Sequence, residues 1–327
     1  MAHNLKLEVF RISLKKKGGS NSKLFVFKDF FEKAFLSVEK EEAYKQFVSK
    51  FLALFNDEFM LNADNTKAIS ATSESRFSIS TEKNIIDCEV LGGNTGIEQK
   101  LYRRKNSKKV EGKILNDNVA ALPFYVKIWT PLDHSTGILM IQSYSNHTVS
   151  NMVKIFLTKH FQEFDFSILV TPYVPIELKE EYKKNSSVYK VAFVKESLSK
   201  DKRKLINPLF ANFEELKIRI EVSGFTEKVE EFWAKFTNTE KIISSNLEDF
   251  DIKENDDYKT VAFYRDEKGN KARTSIEKQI ELKPTIFLDD SLKQQGSDIF
   301  DFDKIKTHTD GLLENIKKEI KYVPAES

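Results

Sequence analysis

Apolar residues recur along the chain with two periods, and the alternation between them marks out the elements. Leu5, Leu7 and Val9 alternate with Lys6, Glu8 and Phe10, which predicts a strand over Leu5–Leu14. The basic turn Lys15-Lys16-Lys17-Gly18-Gly19-Ser20 follows. The period then becomes helical. Leu24, Phe27, Phe31, Ala34 and Phe35 share one face, and Tyr44, Phe47, Val48, Phe51, Leu52 and Phe55 form a second stripe that Ser37 can cap. Two helices joined by so short a link pack as an antiparallel pair or lie together on a sheet.

Shorter strands are predicted next, over Thr66–Ala71, Arg76–Ser80, Ile85–Val90, Ile97–Arg103 and Val110–Leu115. Gly92-Gly93-Asn94-Thr95-Gly96 reads as a turn between two of them, and Arg103–Lys109 as a charged hairpin tip. The clearest local unit is Pro123–Phe161. Phe124, Val126 and Ile128 alternate with Tyr125, Lys127 and Trp129, so both faces of this strand carry bulky groups and both are expected to be covered. A polar turn, Pro131 to Gly137, leads to the apolar strand Ile138-Leu139-Met140-Ile141. Thr148 can cap a helix that presents Val149, Met152, Val153, Phe156 and Phe161 on or near one face.

Phe166–Val170 is a further strand. Pro172, Pro175 and the charged run Lys179–Lys184 then place a domain boundary within Thr171–Ser187, with room there for a short amphipathic helix. The second half predicts strands at Val188–Lys195 and Leu216–Val222, a partly helical stretch broken near Pro208, and a helix from Thr226 carrying Val229, Phe232, Trp233 and Phe236. A hairpin over Thr260–Tyr264 and Lys271–Gln279 and a C-terminal helix over Phe302–Tyr322 complete the chain. The expected fold is α+β in two domains, residues 1–175 and 188–327, each a mixed or antiparallel sheet with packed helices.

The strand from Pro123, its Pro-containing turn, the Gly137-Ile138-Leu139-Met140-Ile141-Gln142-Ser143 strand and the following helix resemble a pattern in bacterial proteins of prophages and defence islands, among them Rex exclusion protein A. The resemblance covers the central stretch alone and rests on apolar structural positions, so it carries over no functional residue. It implies DNA binding and phage defence.

Composition narrows the class. At 327 residues the chain has the length of roughly two domains. Charged residues make up 31% of it and Phe is abundant at 27 residues, which predicts a charged surface over aromatic-rich cores. The 52 basic residues nearly balance the 50 acidic ones, so any basic footprint is local. The single cysteine, Cys88, excludes an intramolecular disulfide framework and a cysteine-based zinc site, and fits a reducing compartment. Neither a secretory signal nor a run of ~18 apolar residues is visible, so a cytoplasmic protein without a membrane span is expected.

Four candidate chemistries follow. Asp87 with Glu98-Gln99-Lys100 has the spacing of a metal-dependent nuclease of the restriction-endonuclease type, in which Asp87 and Glu98 converge on a divalent ion and Lys100 orients the attacking water. Against it, polar Gln99 stands where a buried strand prefers an apolar residue. His160 and Glu163 have the spacing of one half of a di-iron site, the second half is missing, and His160 near a helix end reads as a dipole contact. Asp249, Asp251, Asn255, Asp256 and Asp257 resemble a calcium loop only in composition. No serine elbow or phosphate loop is present, and no cofactor or metal is expected.

The fourth candidate is the basic turns. Lys15, Lys16 and Lys17, the tip residues Arg103, Arg104, Lys105, Lys108 and Lys109, and Lys200–Lys204 are suited to a phosphate backbone, and Tyr102 puts a stacking ring beside two guanidinium groups. The leading expectation is a non-catalytic protein that binds nucleic acid (DNA) or a protein partner in a bacterial anti-phage defence or mobile-element system. The alternatives are the nuclease and a structural interaction module that self-associates through a Phe-rich helix such as Glu41–Phe55.

Overall fold

The computed structural model describes residues 3–17, 24–35, 40–53, 58–71, 75–103, 106–145, 147–195, 197–213, 215–237, 258–265, 269, 271–275 and 286–323. The chain divides into two compact units, one formed by Met1–Tyr173 with Ile286–Ser327 and the other by Val174–Thr285.

The first unit is built on one nine-stranded antiparallel sheet. Its strands are β1 (Leu5–Lys16), β2 (Met60–Leu61), β3 (Lys67–Ser70), β4 (Phe77–Ser80), β5 (Ile85–Asn94), β8 (Ala120–Trp129), β9 (Thr136–Tyr144), β10 (Phe166–Tyr173) and β15 (Ile286–Phe287). The order is β10-β1-β9-β8-β5-β3-β2, with β15 also on β1 and β4 also on β5. The strands β6 (Gln99–Arg103) and β7 (Asn106–Ile114) form a separate two-stranded ribbon.

Both sheet faces are covered, as the bulky groups on either side of β8 predict. One face carries α1 (Phe27–Ala34), α2 (Lys40–Ala53) and α3 (Ser150–Gln162) over a phenylalanine cluster. Phe30 meets Phe47, Phe161 and Phe166 within ring contact, and Phe47 also meets Phe31, Phe51 and His160. Gly137 makes this packing possible, because a Cβ there would press on the Phe27 ring and on Ile12. The other face carries α7 (Phe302–Glu319). Its residues Phe302, Ile305, Thr309, Leu313 and Ile316 are buried at helical spacing, and Asp301 caps its start by accepting from the Asp303 and Lys304 amides.

The second unit is a four-stranded antiparallel sheet, β12 (Ile218–Ser223), β11 (Ser187–Lys195), β13 (Tyr258–Arg265) and β14 (Lys271–Ser275), in that order. The helices α4 (Ile176–Asn185), α5 (Lys200–Ile206) and α6 (Val229–Thr237) belong to it. Pro208 opens a short 3-10 turn after α5, as the expected interruption there requires.

Most strands and helices lie where periodicity places them, and the α+β class holds with every sheet antiparallel. Three expectations are corrected here. Gly92 and Gly93 are not in a turn, because β5 continues to Asn94. A Cβ on Gly92 would overlap Val149, and one on Gly93 would overlap the Ala120 carbonyl, so these glycines answer to close approach. Only Gly96, at φ +82°, needs the freedom of a turn glycine there. The second correction concerns residues 286–323, which the sequence places in the second domain. β15 pairs with β1 and α7 packs on β8, so the chain returns to the first unit and the second unit is an insertion.

The third correction is His160, which is not the dipole contact that its place near a helix end suggests. It is fully buried among Phe47, Phe51, Phe161 and Phe164, and neither ring nitrogen has a hydrogen-bond partner among the described residues. Burial first, then the Lys50 charge, lowers its pKa from 6.5 to about 4; the Phe47 backbone opposes this without reaching hydrogen-bond geometry. A pKa lower in the folded than in the unfolded state gives stability that is complete above about 6.5 and is lost as pH falls toward about 4. The loss from this group reaches ~3 kcal/mol at the lower end, so His160→Leu is expected to flatten the acid limb of urea-unfolding stability. An unchanged slope would contradict the buried neutral imidazole. Phe47→Ala is expected to cost ~3–5 kcal/mol in the same assay, since it opens the centre of the cluster.

Candidate nucleic-acid interface

β6 and β7 leave the end of the sheet at which β5 finishes and β8 begins, where Asn94 is paired with Ala120. In the ribbon Lys100 stands opposite Lys113, Leu101 opposite Gly112 and Tyr102 opposite Val110, with Glu111 as the extra residue of a bulge. Directly opposed residues project from the same side, and successive pairs alternate. One side therefore presents Lys100, Lys113, Tyr102 and Val110, and the other presents Leu101. Tyr102 is 48% exposed, Leu101 47% and Val110 39%, so the ribbon keeps its large side chains in contact with water. Glu98 approaches the Lys113 ammonium at 3.8 Å on the open surface, an ion pair of small energetic weight.

The stretch from Gln99 to Ile114 holds seven Lys and Arg residues against one Glu. That is a net +6 in a chain whose total is +2, so the remaining residues together net −4. This ribbon accounts for the chain's net excess of positive charge. Lys109 is exposed on β7. Arg103 and Lys108 occupy strand positions, and Arg104 and Lys105 lie outside the described residues, as does the whole calcium-like stretch from Asp249 to Asp257.

Lys15, Lys16 and Lys17 are placed elsewhere. Lys15 and Lys16 pair with Ser167 and Phe166 at the end of β1, and β1 runs parallel to β8 across two antiparallel steps. They lie at the Trp129 end of the sheet, whereas the ribbon leaves from the Ala120 end, about 30 Å away along a ten-residue strand. The two basic clusters do not form one surface.

At the foot of the ribbon lies a cavity of about 290 Å³, lined by Lys67, Gly92, Gly93, Asn94, Gln99, Ala120, Leu122, Phe124, His147, Thr148 and Val149. Its floor is apolar and buried at Phe124 and Val149, and its mouth is polar and exposed at Asn94, Gln99, His147 and Thr148. Thr148 and Ser150 both donate to the Glu8 carboxylate, and the Ser150 amide donates to Thr148 Oγ1. Val149, one residue later than expected, stands at the cap position of α3 without a side-chain cap bond, and Thr148 precedes it. The side chains of Lys67, Asn94 and Gln99 make no hydrogen bond or ion pair among the described residues. Sequence reasoning missed this group. Its one visible signal is polar Gln99 within an otherwise strand-like run, which argues against a buried strand there.

Asp87 is engaged far from Glu98 and Lys100. It faces Lys127 directly across the β5–β8 pair, with the Lys127 ammonium 2.7 Å away and both side chains buried. Lys127 also reaches Asp310 on α7 at 2.5 Å, and Lys306 bridges Asp310 at 2.8 Å and Asp87 at 3.7 Å. Tyr125 donates to Asp87 and shares a 2.8 Å hydrogen bond with Thr309. Burial works against ionisation of Asp310, but hydrogen bonds from Lys127 and Lys306 prevail and hold its carboxyl below the usual value. Burial, and then the Asp87 charge, push the Tyr125 phenol up.

Asp87 and Asn94 are seven strand residues apart, ~23 Å at ~3.3 Å per residue, and Glu98 lies beyond Asn94. The structure does not bring Asp87, Glu98 and Lys100 together. Lys127 was the overlooked residue; a lysine between Tyr125 and Trp129 on a doubly covered strand is itself a signal of a buried ion pair. The Cys88 thiol is buried on the opposite side of β5 from Asp87, and burial first, then the charges of Asp87 and Glu89, push its pKa up. Such a thiol behaves as a small hydrophobe. No family model, curated protein or solved structure matches the chain.

The Lys127 network makes a stability prediction. Lys127→Met strands Asp87 as a buried carboxylate and is expected to cost ~3–5 kcal/mol, whereas Lys127→Met with Asp87→Leu should recover most of that loss. Denaturant titration of the single and double variants checks this. Equal losses would show that the pair is not electrostatically coupled.

Proposed function

We propose that this protein binds nucleic acid through the β6–β7 ribbon. The observation that carries the reading is a protruding two-stranded ribbon with Lys100, Lys113 and Tyr102 on one exposed side and the chain's excess positive charge concentrated within it. A two-stranded ribbon alone gains little from folding, and one fits within a nucleic-acid groove. Its cations release counterions from a phosphate backbone, and an exposed tyrosine offers a stacking surface to bases. The resemblance of Pro123–Phe161 to the Rex exclusion protein A type favours DNA as the ligand and phage defence as the setting.

The nuclease alternative loses support from the engagement of Asp87 with Lys127 and its distance from Glu98. A protein partner is the second reading, favoured by Leu101 on the other side of the ribbon and by exposed Ile97 and Leu115 at its base.

Fluorescence anisotropy of labelled DNA and RNA across a salt titration tests the proposal. Affinity is expected to fall steeply with salt. Lys100→Ala, Lys109→Ala and Lys113→Ala together should weaken binding and reduce the slope of log Kd against log salt by roughly two. The strands should remain intact with magnesium present. Absence of binding at low salt would overturn the reading and favour the protein partner, and magnesium-dependent cutting that is lost in Glu98→Ala would restore the nuclease.

A further inference from the structure

We propose that the cavity at the foot of the ribbon holds one unpaired nucleobase, with adenine preferred, of a strand bound along β6–β7. The proposal rests on the nucleic-acid reading and adds a base-reading site to it.

The argument starts from the cavity's construction. At about 290 Å³ it lies just below the range for drug-sized ligand sites, ~300–1,000 Å³, a size suited to a single base. Gly92 keeps it open, because the Cβ of any other residue would project toward Val149 and Phe124, which form its floor. A flat apolar group is accommodated by Phe124, Leu122 and Val149.

The polar groups stand at the mouth. Asn94 and Gln99 each supply an amide with an adjacent donor and acceptor, the arrangement that complements the neighbouring donor and acceptor of adenine. Neither amide is used by another described residue, and neither is the Lys67 ammonium. Lys67 is available to a phosphate. The α3 amino end is not, since the Glu8 carboxylate already accepts from Thr148 and Ser150 there.

Continuity with the ribbon identifies the ligand as part of a strand. Gln99 lines the cavity and is also the first residue of β6. Lys100 and Tyr102 follow it at one and three residues, so the stacking ring lies about 10 Å along the ribbon from the cavity mouth. A single strand can splay a base out at little cost, whereas a duplex must first unpair it.

The test compares a fluorescein-labelled oligodeoxyadenylate with an abasic strand of equal length and phosphate count, using the full chain. The adenylate strand is expected to bind about tenfold more tightly. Asn94→Leu with Gln99→Leu should abolish that ratio while leaving the salt slope unchanged. Tyr102→Ala, which removes stacking on the ribbon, should leave part of the ratio in place. Equal binding of the two strands by the unaltered protein would overturn the base site and leave the ribbon reading standing. A ratio that survives in the Asn94/Gln99 variant would also overturn the base site. Binding of neither strand at low salt would remove the ribbon reading and the base site with it.

Discussion

An ammonium group buried in a sheet must be neutralised, and the first unit is arranged around that requirement. Lys127 sits in a central strand with no exposed side-chain surface. Desolvation would force it out or discharge it unless carboxylates met it in the interior. Asp87 meets it across the strand pair, and Asp310 meets it from α7, 183 residues further along the chain. The second contact fixes the C-terminal helix in place and in register, with Tyr125 and Thr309 hydrogen-bonded beside it. A wholly apolar interface would hold the helix by area alone. This one also specifies which turn of α7 lies over β8.

That closure decides the organisation of the whole chain. Because β15 and α7 complete a sheet begun by β1, residues 174–285 form an insertion in the first unit. It also explains why an aspartate with nuclease-like spacing is not free for chemistry. Asp87 is the counterion of the fold, and its neighbours at the other end of β5 are left to a different task.

That other end is built on close approach. Gly92 and Gly93 let β5 pass tightly against the Ala120 backbone and Val149, and the space they leave is the cavity. The ribbon begins a few residues later, so the basic ribbon and the cavity share Gln99. Rigid sheet, open ribbon and cavity are thus three consequences of one strand and the hairpin that follows it.

The sequence by itself determined the α+β class, the positions of most elements and the covered state of both faces of β8. Those features follow from local periodicity and turn chemistry, which act over a few residues. It also marked the basic residues from Arg103 to Lys109, because charge is legible without coordinates. The tertiary structure alone decided what depends on pairing between distant segments. It paired Lys127 with Asp87 and Asp310, buried His160 with no hydrogen-bond partner among the described residues, and turned Gly92 and Gly93 from a turn into a strand. It also separated Lys15–Lys17 from the ribbon, and it gathered Lys67, Asn94, Gln99 and His147 around one cavity. A strand's period tells which face a residue occupies, but it is silent on which strand lies beside it, and the charges and hollows of this molecule are set by those neighbours.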